Sequence, residues 1–150
     1  MKAKKISPPL AQFPEQIRTY LEGANFYDSS SHSGANVFYA DTGYYLKIDQ
    51  KDQLTQEATL AKWFEKQGLG VPIIHYQTTD KDYLLTKEAE GKNALAFLQQ
   101  PEELCQTMAA ALKKLHNTLS FSFLAFPPKM FFRFTWIASS WAIEDRKSVV

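Results

Sequence analysis

The chain has 150 residues, enough for one domain or for one lobe of a larger protein. Its 45% hydrophobic and 22% charged residues are ordinary for a soluble globular protein, and its formal net charge is only +1. Charges of both signs are scattered along the sequence. This argues against a nucleic-acid binder, which needs a basic stripe, and against electrostatic attachment to an anionic membrane.

Cysteine usage and the N-terminus favour the cytoplasm. Cys105 is the sequence's one cysteine, so it cannot form an intramolecular disulfide, and its place in a helical pattern is typical of a small buried hydrophobe. The basic residues at the N-terminus are not followed by an apolar run of signal-peptide length. The three histidines and Cys105 show no metal-ligand spacing, so we expect no metal site.

The first third of the chain is predicted to contain a helix followed by β structure. Apolar residues recur near helical spacing over residues 8–22. A strand and then a hairpin are expected next, because two runs rich in Tyr, Phe and Val, residues 36–40 and 43–49, flank a glycine-containing turn. The small, polar residues 28–35 predict a flexible loop that leads into this hairpin.

The middle of the chain continues with a helix, a second hairpin and a further helix. Residues 52–66 have an amphipathic pattern, and residues 71–77 and 82–87 read as two strands around a polar turn. Residues 101–117 predict a helix that begins with a proline and two glutamates, which suit its positive end. This order predicts an α+β fold in which helices pack on a mainly antiparallel sheet.

The last 32 residues, 119–150, have a different composition. They contain eight aromatic residues, about twice the density of the preceding chain, with neither helical nor strand periodicity. The aromatic run is interrupted by Pro127, Pro128, Lys129 and Arg133, which argues against a transmembrane helix. We interpret this tail as foreign to the preceding fold, such as out-of-frame translation would produce, and as an aggregation liability.

Several residues follow the order that the small lobe of a kinase requires, namely a loop over the phosphates, a lysine and a carboxylate that holds the lysine. Residues 31–38 form the polar loop. Lys47 lies among apolar residues on a strand expected to be central, where a lysine is costly to bury unless paired. Glu57, early on the next helix, is its natural partner. A linker between lobes falls at residues 85–91.

Each of these features alone also has an ordinary structural explanation. Tyr45 suits a core position facing the sheet, Glu57 suits a solvated helix face, and Lys47 suits an exposed strand edge. His32 suits a solvent-facing loop and His75 a packed position on a strand. Only the order and spacing of the set favour the kinase interpretation.

Residues 6–118 resemble the N-terminal part of the aminoglycoside 3′-phosphotransferases, kinases that inactivate kanamycin-type antibiotics with ATP. Residues 33–38 match the family's S-x-A-x-V-Y loop, and residues 45–47 match its Y-L-K motif. Glu57 and Trp63 match E-x5-W. Three further stretches resemble the family's opening residues, its V-P-x-V/I pattern and its L-x-x-L-H helix end, at residues 6–10, 71–75 and 112–117.

The resemblance implies an ATP site. Tyr45 would stack on adenine, Lys47 would contact the α- and β-phosphates, and Glu57 would hold the lysine. Residues 85–91 resemble the L-x-S-E-A-x-G hinge, whose backbone groups at the positions of Lys87 and Ala89 would bind the adenine edge. The implied nucleotide-binding residues are Ser33, Gly34, Ala35, Tyr45, Lys47, Glu57, Lys87 and Ala89.

The sequence also departs from that family. The catalytic loop H-G-D-x-x-x-x-N, whose Asp orients the substrate hydroxyl and whose Asn holds magnesium, has no counterpart. The second metal motif, I-D-x-G, is missing as well, and residues 143–146 are only a superficial echo of it. Magnesium and the aminoglycoside therefore belong to the intact family, and we assign no catalytic or metal-binding residue here.

We therefore predict a truncated aminoglycoside phosphotransferase that binds nucleotide and is inactive alone. A kinase-like small lobe would span residues 1–90, the hinge and first helix of a large lobe residues 91–118, and the atypical tail residues 119–150. One alternative is a non-catalytic, pseudokinase-like module that uses the tail as a docking surface. Another is a plain α+β binding domain with no nucleotide.

Overall fold

The computed structural model describes residues 4–30, 34–91 and 97–122, with side chains as far as residue 118. The chain begins with β1 (Lys5–Ile6), a single 3₁₀ turn (Leu10–Gln12), α1 (Glu15–Leu21), β2 (Phe26–Asp28), β3 (Asn36–Ala40) and β4 (Tyr44–Gln50). It continues with α2 (Thr55–Lys66), β5 (Ile73–Thr78), β6 (Lys81–Lys87) and α3 (Pro101–Ser122).

The six strands form one antiparallel sheet in the order β1-β2-β3-β4-β6-β5. The β3–β4 turn contains Gly43, whose φ of +86° lies in the left-handed region that favours glycine. Because β6 inserts between β4 and β5, the strand that carries Lys47 has neighbours on both sides and is central, as predicted. The predicted α+β, kinase-like small-lobe class is confirmed.

One face of the sheet packs against the N-terminal helical segment. Successive strand residues point to opposite faces, so Leu46 and Leu85 lie on this side together with their i+2 neighbours. They pack with Phe13, Ile17 and Leu21, the last two fully buried. Burying a side chain of this size stabilises the fold by about 1.5–3 kcal/mol, so this cluster holds α1 on the sheet.

The opposite face carries α2. Leu54 and Ala58, one helical turn apart, pack on Leu84 of β6, with two half-buried residues of β5 beside them. The helix ends in a Schellman motif: the N–H of Leu69 donates to the carbonyl of Phe64 at 2.9 Å, and that of Gly68 to Glu65. α2 is therefore fixed at its C-terminal end by its own chain and along its length by the sheet.

Some elements differ from the sequence predictions. The helix expected over residues 8–22 is split, because Pro14 fixes its own φ and starts α1 with its carbonyl instead of continuing the 3₁₀ turn. The amphipathic helix begins at Thr55 rather than near residue 52, since residues 51–53 form a turn in which Asp52 has a φ of +67°. The two-residue strand β1 was not predicted.

Contacts between residues divide the chain after Ala89 into two compact units. In the second unit α3 begins at Pro101, as predicted, but extends to Ser122, beyond the expected end. Cys105 is exposed, so the expectation of a buried thiol is wrong. It lies seven residues before Leu112, on the same side of the helix, and Leu112 is exposed as well. Of the helices described, none is long and apolar enough to cross a membrane.

Candidate functional site

A lysine and a glutamate form the centre of the candidate site. The Nζ atom of Lys47, on β4, lies 3.0 Å from Oε1 and 2.8 Å from Oε2 of Glu57, in the first turn of α2. Each side chain is only 18% exposed. Lys47 points to the face on which α2 packs, and the positive end of the helix favours a carboxylate in its first turn. The pair therefore fixes an ammonium group on the face of a central strand.

Aromatic rings lie beside this pair. Tyr45 is two residues before Lys47 and on the same face of β4. Its ring centroid lies 4.9 Å from that of Tyr39, the residue opposite it on β3, and Tyr27 of β2 extends the row at 6.2 Å from Tyr39. Such tilted cross-strand pairs stabilise both the sheet and the orientation of each ring. Tyr45 is half-buried, so its ring is held by its neighbours and is partly accessible.

The row of rings is attached to the segment that follows β6. The hydroxyl of Tyr39 donates a 3.1 Å hydrogen bond to Oε2 of Glu88. Burial raises the pKa of Tyr39, and the carboxylate of Glu88 raises that pKa further. The backbone N–H of Glu88 donates to the carbonyl of Gly43 at 2.9 Å, and that of Lys87 donates to the carbonyl of Pro72 at 2.9 Å. Ala89 follows as an exposed residue.

The polar loop before β3 is anchored at its two described ends. The N–H of Val37 donates to the Ser30 hydroxyl at 3.0 Å, and Ser30 in turn donates its N–H to Asp28. Gly34 has a φ of +85°, and a Cβ at its position would have no atom within 4 Å. Ala35 is buried. A substrate can therefore approach the backbone at Gly34 closely, while Ser33 lies outside the described residues.

Asp82 is a buried charge at the N-terminal end of α2, the same end that carries Glu57. It is fully buried at the start of β6, and its Oδ2 accepts the backbone N–H of Leu54 at 2.7 Å. Burial alone would raise the pKa of Asp82, but this hydrogen bond and the polar groups of Thr78, Asp52 and Tyr76 lower it below its ordinary value. Within the described part of the chain, Oδ1 has no hydrogen-bond partner of good geometry.

The structure thus brings some of the predicted site residues together. Lys47 and Glu57 are in contact, Tyr45 shares their face of the sheet, and the Gly34 end of the loop leads into the neighbouring strand β3. Tyr39 and Asp82 were not among the residues predicted for the site. Tyr39 could have been found, because the hairpin around residues 41–43 places it directly opposite Tyr45. Asp82 carried no comparable signal, since its partner is a backbone N–H 28 residues away.

A match to a known family shows which proteins the chain is related to. Residues 28–148 match the phosphotransferase enzyme family. The chain belongs to the phosphotransferase enzyme family. The resemblance seen in the short motifs is therefore confirmed. The match includes most of the aromatic-rich tail, which lies beyond the described residues from position 123 onward, so its interpretation as a foreign segment stays a prediction.

A curated member of this phosphotransferase family is similar over most of the chain. The "Probable aminoglycoside 3'-phosphotransferase" of Lactococcus lactis subsp. lactis (strain IL1403) is 38% identical over 119 residues. These residues make up 76% of this chain but only 45% of the relative. The chain thus matches less than half of the length of that relative.

The described residues of the chain offer no metal centre. Among residues 4–30, 34–91 and 97–118, no group of three His, Cys, Asp or Glu side chains is placed to hold a metal ion. The charges at the centre of the site are the paired Lys47 and Glu57. The arrangement presents a positioned ammonium group and a partly accessible aromatic ring on one face of the sheet.

Proposed function

We propose that this chain is the nucleotide-binding lobe of an aminoglycoside phosphotransferase and that it binds ATP. The observation that supports this best is the ion pair between Lys47 and both carboxylate oxygens of Glu57. Kinases use such a pair to hold a lysine against the nucleotide phosphates. The membership of the family and the name of the Lactococcus relative support the same substrate class.

The described residues fit the phosphate part of the nucleotide. A lysine ammonium is a compact charge with three donors, and Glu57 restricts where it points. A glycine at position 34 lets the backbone come close to phosphate oxygens, because no side chain intervenes. ATP supplies the phosphoryl group that would be transferred. We assign Gly34 and Ala35, with Ser33 by resemblance, to the loop over the phosphates.

The adenine would lie against Tyr45 and the segment after β6. Tyr45 is held by Tyr39 at 4.9 Å and is only half-buried, which suits stacking against a flat base. The N–H of Lys87 already donates to the carbonyl of Pro72. We therefore assign the carbonyl of Lys87, whose oxygen has two lone pairs, as the acceptor for the adenine amino group. The N–H of Ala89 is the matching donor in this proposal.

We further propose that the chain does not transfer phosphate by itself. Its sequence contains neither H-G-D nor I-D-x-G, the motifs that hold the substrate hydroxyl and magnesium in the family. Phosphoryl transfer depends on metal-borne charge stabilisation and on positioning of the attacking hydroxyl. Aminoglycoside binding and chemistry would belong to a complete phosphotransferase, and the cytoplasm, where ATP is available, is the compartment that we propose for it.

Isothermal titration of the full chain with Mg·ATP tests the nucleotide site. We expect saturable binding that Lys47→Met weakens by about tenfold, the usual contribution of one charge-assisted contact. Lys62→Met is the matched control, because Lys62 is an exposed lysine on α2 and its replacement changes the net charge equally. No binding by the wild type, or equal loss in both variants, would favour a plain α+β domain without nucleotide.

A radiolabelled phosphate-transfer assay tests the proposed inactivity. The purified chain is incubated with Mg·ATP and kanamycin, with Lys47→Met as the background control. We expect equal counts from both proteins. Phosphorylated kanamycin above the Lys47→Met background would show that residues outside the described part supply the catalytic groups.

A further inference from the structure

The buried carboxylate of Asp82 has an unusual position for a strand residue. It lies directly opposite Asp49 of β4, a like charge, near the end of both strands. Asp82 itself is fully buried. Burying a charge beside a like charge is costly unless specific hydrogen bonds compensate for it. An apolar residue would stabilise such a strand position more simply, so the hydrogen bonds of Asp82 call for another explanation.

The bond that Asp82 makes holds the entry to α2. Its Oδ2 accepts the N–H of Leu54, the residue immediately before the helix, at 2.7 Å. A second bond holds the first helical residue: the Thr55 hydroxyl lies 2.9 Å from that of Tyr76, which also accepts a 3.0 Å hydrogen bond from Thr78. The β5–β6 hairpin thus fixes both the backbone and a side chain at the start of α2.

The start of α2 decides where Glu57 points. Glu57 is two residues after Thr55, within the first turn, so a rotation or shift of that turn moves its carboxylate directly. Lys47 depends on the same strands, because it lies opposite Leu84, two residues along β6 from Asp82. The positions of both partners of the ion pair therefore depend on β6, the strand from which Asp82 binds the start of α2.

We propose that Asp82 is a positioning residue: by holding the Leu54 N–H, it sets the first turn of α2 so that Glu57 meets Lys47. Asp82 touches neither member of the pair and acts through the helix. The geometric effect stands independently of any ligand, whereas its consequence for phosphate binding rests on the proposed function of Lys47.

A double-mutant cycle on stability separates positioning from general support. The coupling between Lys47→Met and Glu57→Gln is measured by urea unfolding of the full chain, in the wild-type background and in Asp82→Val. Val is the test residue because it suits a buried strand and removes the acceptor. We expect a coupling of about fivefold in the unfolding equilibrium of the wild type, typical of a well-formed ion pair, and almost none in Asp82→Val.

The cycle cancels any stability change shared by its four members. If Asp82 only stabilised the fold, the coupling in Asp82→Val would stay at its wild-type value, and that result would overturn the proposal. Asp82→Asn is the conservative variant: its amide oxygen still accepts the Leu54 N–H, so most of the coupling is expected to return. If Asp82→Val does not unfold cooperatively, the coupling is measured in Asp82→Ser instead. The serine side chain is too short to accept the Leu54 N–H as the carboxylate does, so the same two outcomes apply.

Mg·ATP titration of the same variants links the geometry to the site. We expect Asp82→Val to weaken binding about fivefold to tenfold and Asp82→Asn to restore it, in parallel with the coupling. If the wild type binds no ATP while the coupling disappears in Asp82→Val, the proposed function fails and the positioning role stands. If ATP binds and the coupling is unchanged, the positioning role fails and the proposed function stands.

Discussion

The Tyr39 hydroxyl on β3 donates a hydrogen bond to the Glu88 carboxylate 49 residues later, 3.1 Å away, directly after β6. The same Glu88 donates its backbone N–H to Gly43 in the β3–β4 turn. The hairpin and the segment after β6 are therefore joined at two points. Because Tyr39 also packs its ring on Tyr45, the junction fixes the proposed adenine platform relative to the proposed hinge residues.

Tyr39→Phe tests this junction. The variant keeps the ring contact with Tyr45 and removes only the hydroxyl, so we expect a loss of about 0.5–1 kcal/mol in the free energy of unfolding, the usual net value of one hydrogen bond. Urea unfolding measures it. Glu88→Gln keeps an acceptor and should lose less, and Tyr39→Phe should cost nothing further in a Glu88→Ala background. Additive losses in that double variant would show that the two residues do not interact.

Much of the sheet was predictable because it is built from local signals. The runs around the turn at residues 41–43 gave β3 and β4 almost to the residue, and the polar turn after Thr78 gave the second hairpin. β1 escaped prediction because two residues carry no periodicity, and its pairing with β2 is a long-range contact. The division of the first helix follows from a single residue, Pro14, whose effect outweighed the helical spacing around it.

The stability of the chain should depend on acid through Asp82. Its hydrogen bonds lower its pKa in the folded state below the unfolded value of about 3.9. The stabilisation is therefore complete above that unfolded pKa and is lost as the pH falls through the folded pKa. Asp82→Asn keeps an acceptor for the Leu54 N–H but has no carboxylate to titrate, so the difference in stability between the two proteins should shrink as the solution is acidified.

Urea midpoints of wild type and Asp82→Asn at intervals from pH 7 to pH 2 measure this difference. Asp41 and Asp80 also have a lowered pKa, from hydrogen bonds with Asn25 and Thr79, and they make both proteins less stable in acid. Their effect is common to the two proteins and is removed by subtraction. A difference that grows on acidification would mean that the pKa of Asp82 is raised, not lowered.

The turn after α2 has no room for a side chain at Gly70. A Cβ built there would lie 2.8 Å from the Cβ of Phe64 and 3.2 Å from the backbone nitrogen of Glu65. Gly70→Ala must therefore displace the end of the helix, and we expect a loss of about 1–3 kcal/mol by overpacking. Gly23→Ala is the contrast, because it meets nothing within 4 Å and only its φ of +73° is unfavourable, by about 1 kcal/mol. Thermal or urea unfolding should rank Gly70→Ala as the more damaging.

The candidate site was predictable only in part, for a related reason. Lys47 and Glu57 could be paired from the sequence, since a lysine on a central strand needs a carboxylate and the next helix begins a few residues later. The hydrogen bonds that hold these elements in place could not be predicted from the sequence. The Asp82 carboxylate bonds a backbone N–H, and the Tyr39–Glu88 bond joins residues that neither periodicity nor a local motif connects.

Two glutamates at opposite ends of α2 should respond in opposite ways to neutralisation. Glu57→Gln removes the carboxylate that pairs with Lys47, only 18% exposed, and takes a negative charge from the positive end of the helix, so we expect a loss of about 1 kcal/mol. Glu65→Gln removes the same charge from the last turn, where a carboxylate faces the negative end, and should be neutral or slightly stabilising.

Urea midpoints at low salt and at 1 M salt compare the two variants. Because the ion pair is largely shielded, the Glu57→Gln loss should persist at 1 M salt while the helix-end effect at Glu65 disappears. If the Glu57→Gln loss also vanished in high salt, the pair would be behaving as an exposed one, and Lys47 would not be held on the sheet in the way that the proposed phosphate contact requires.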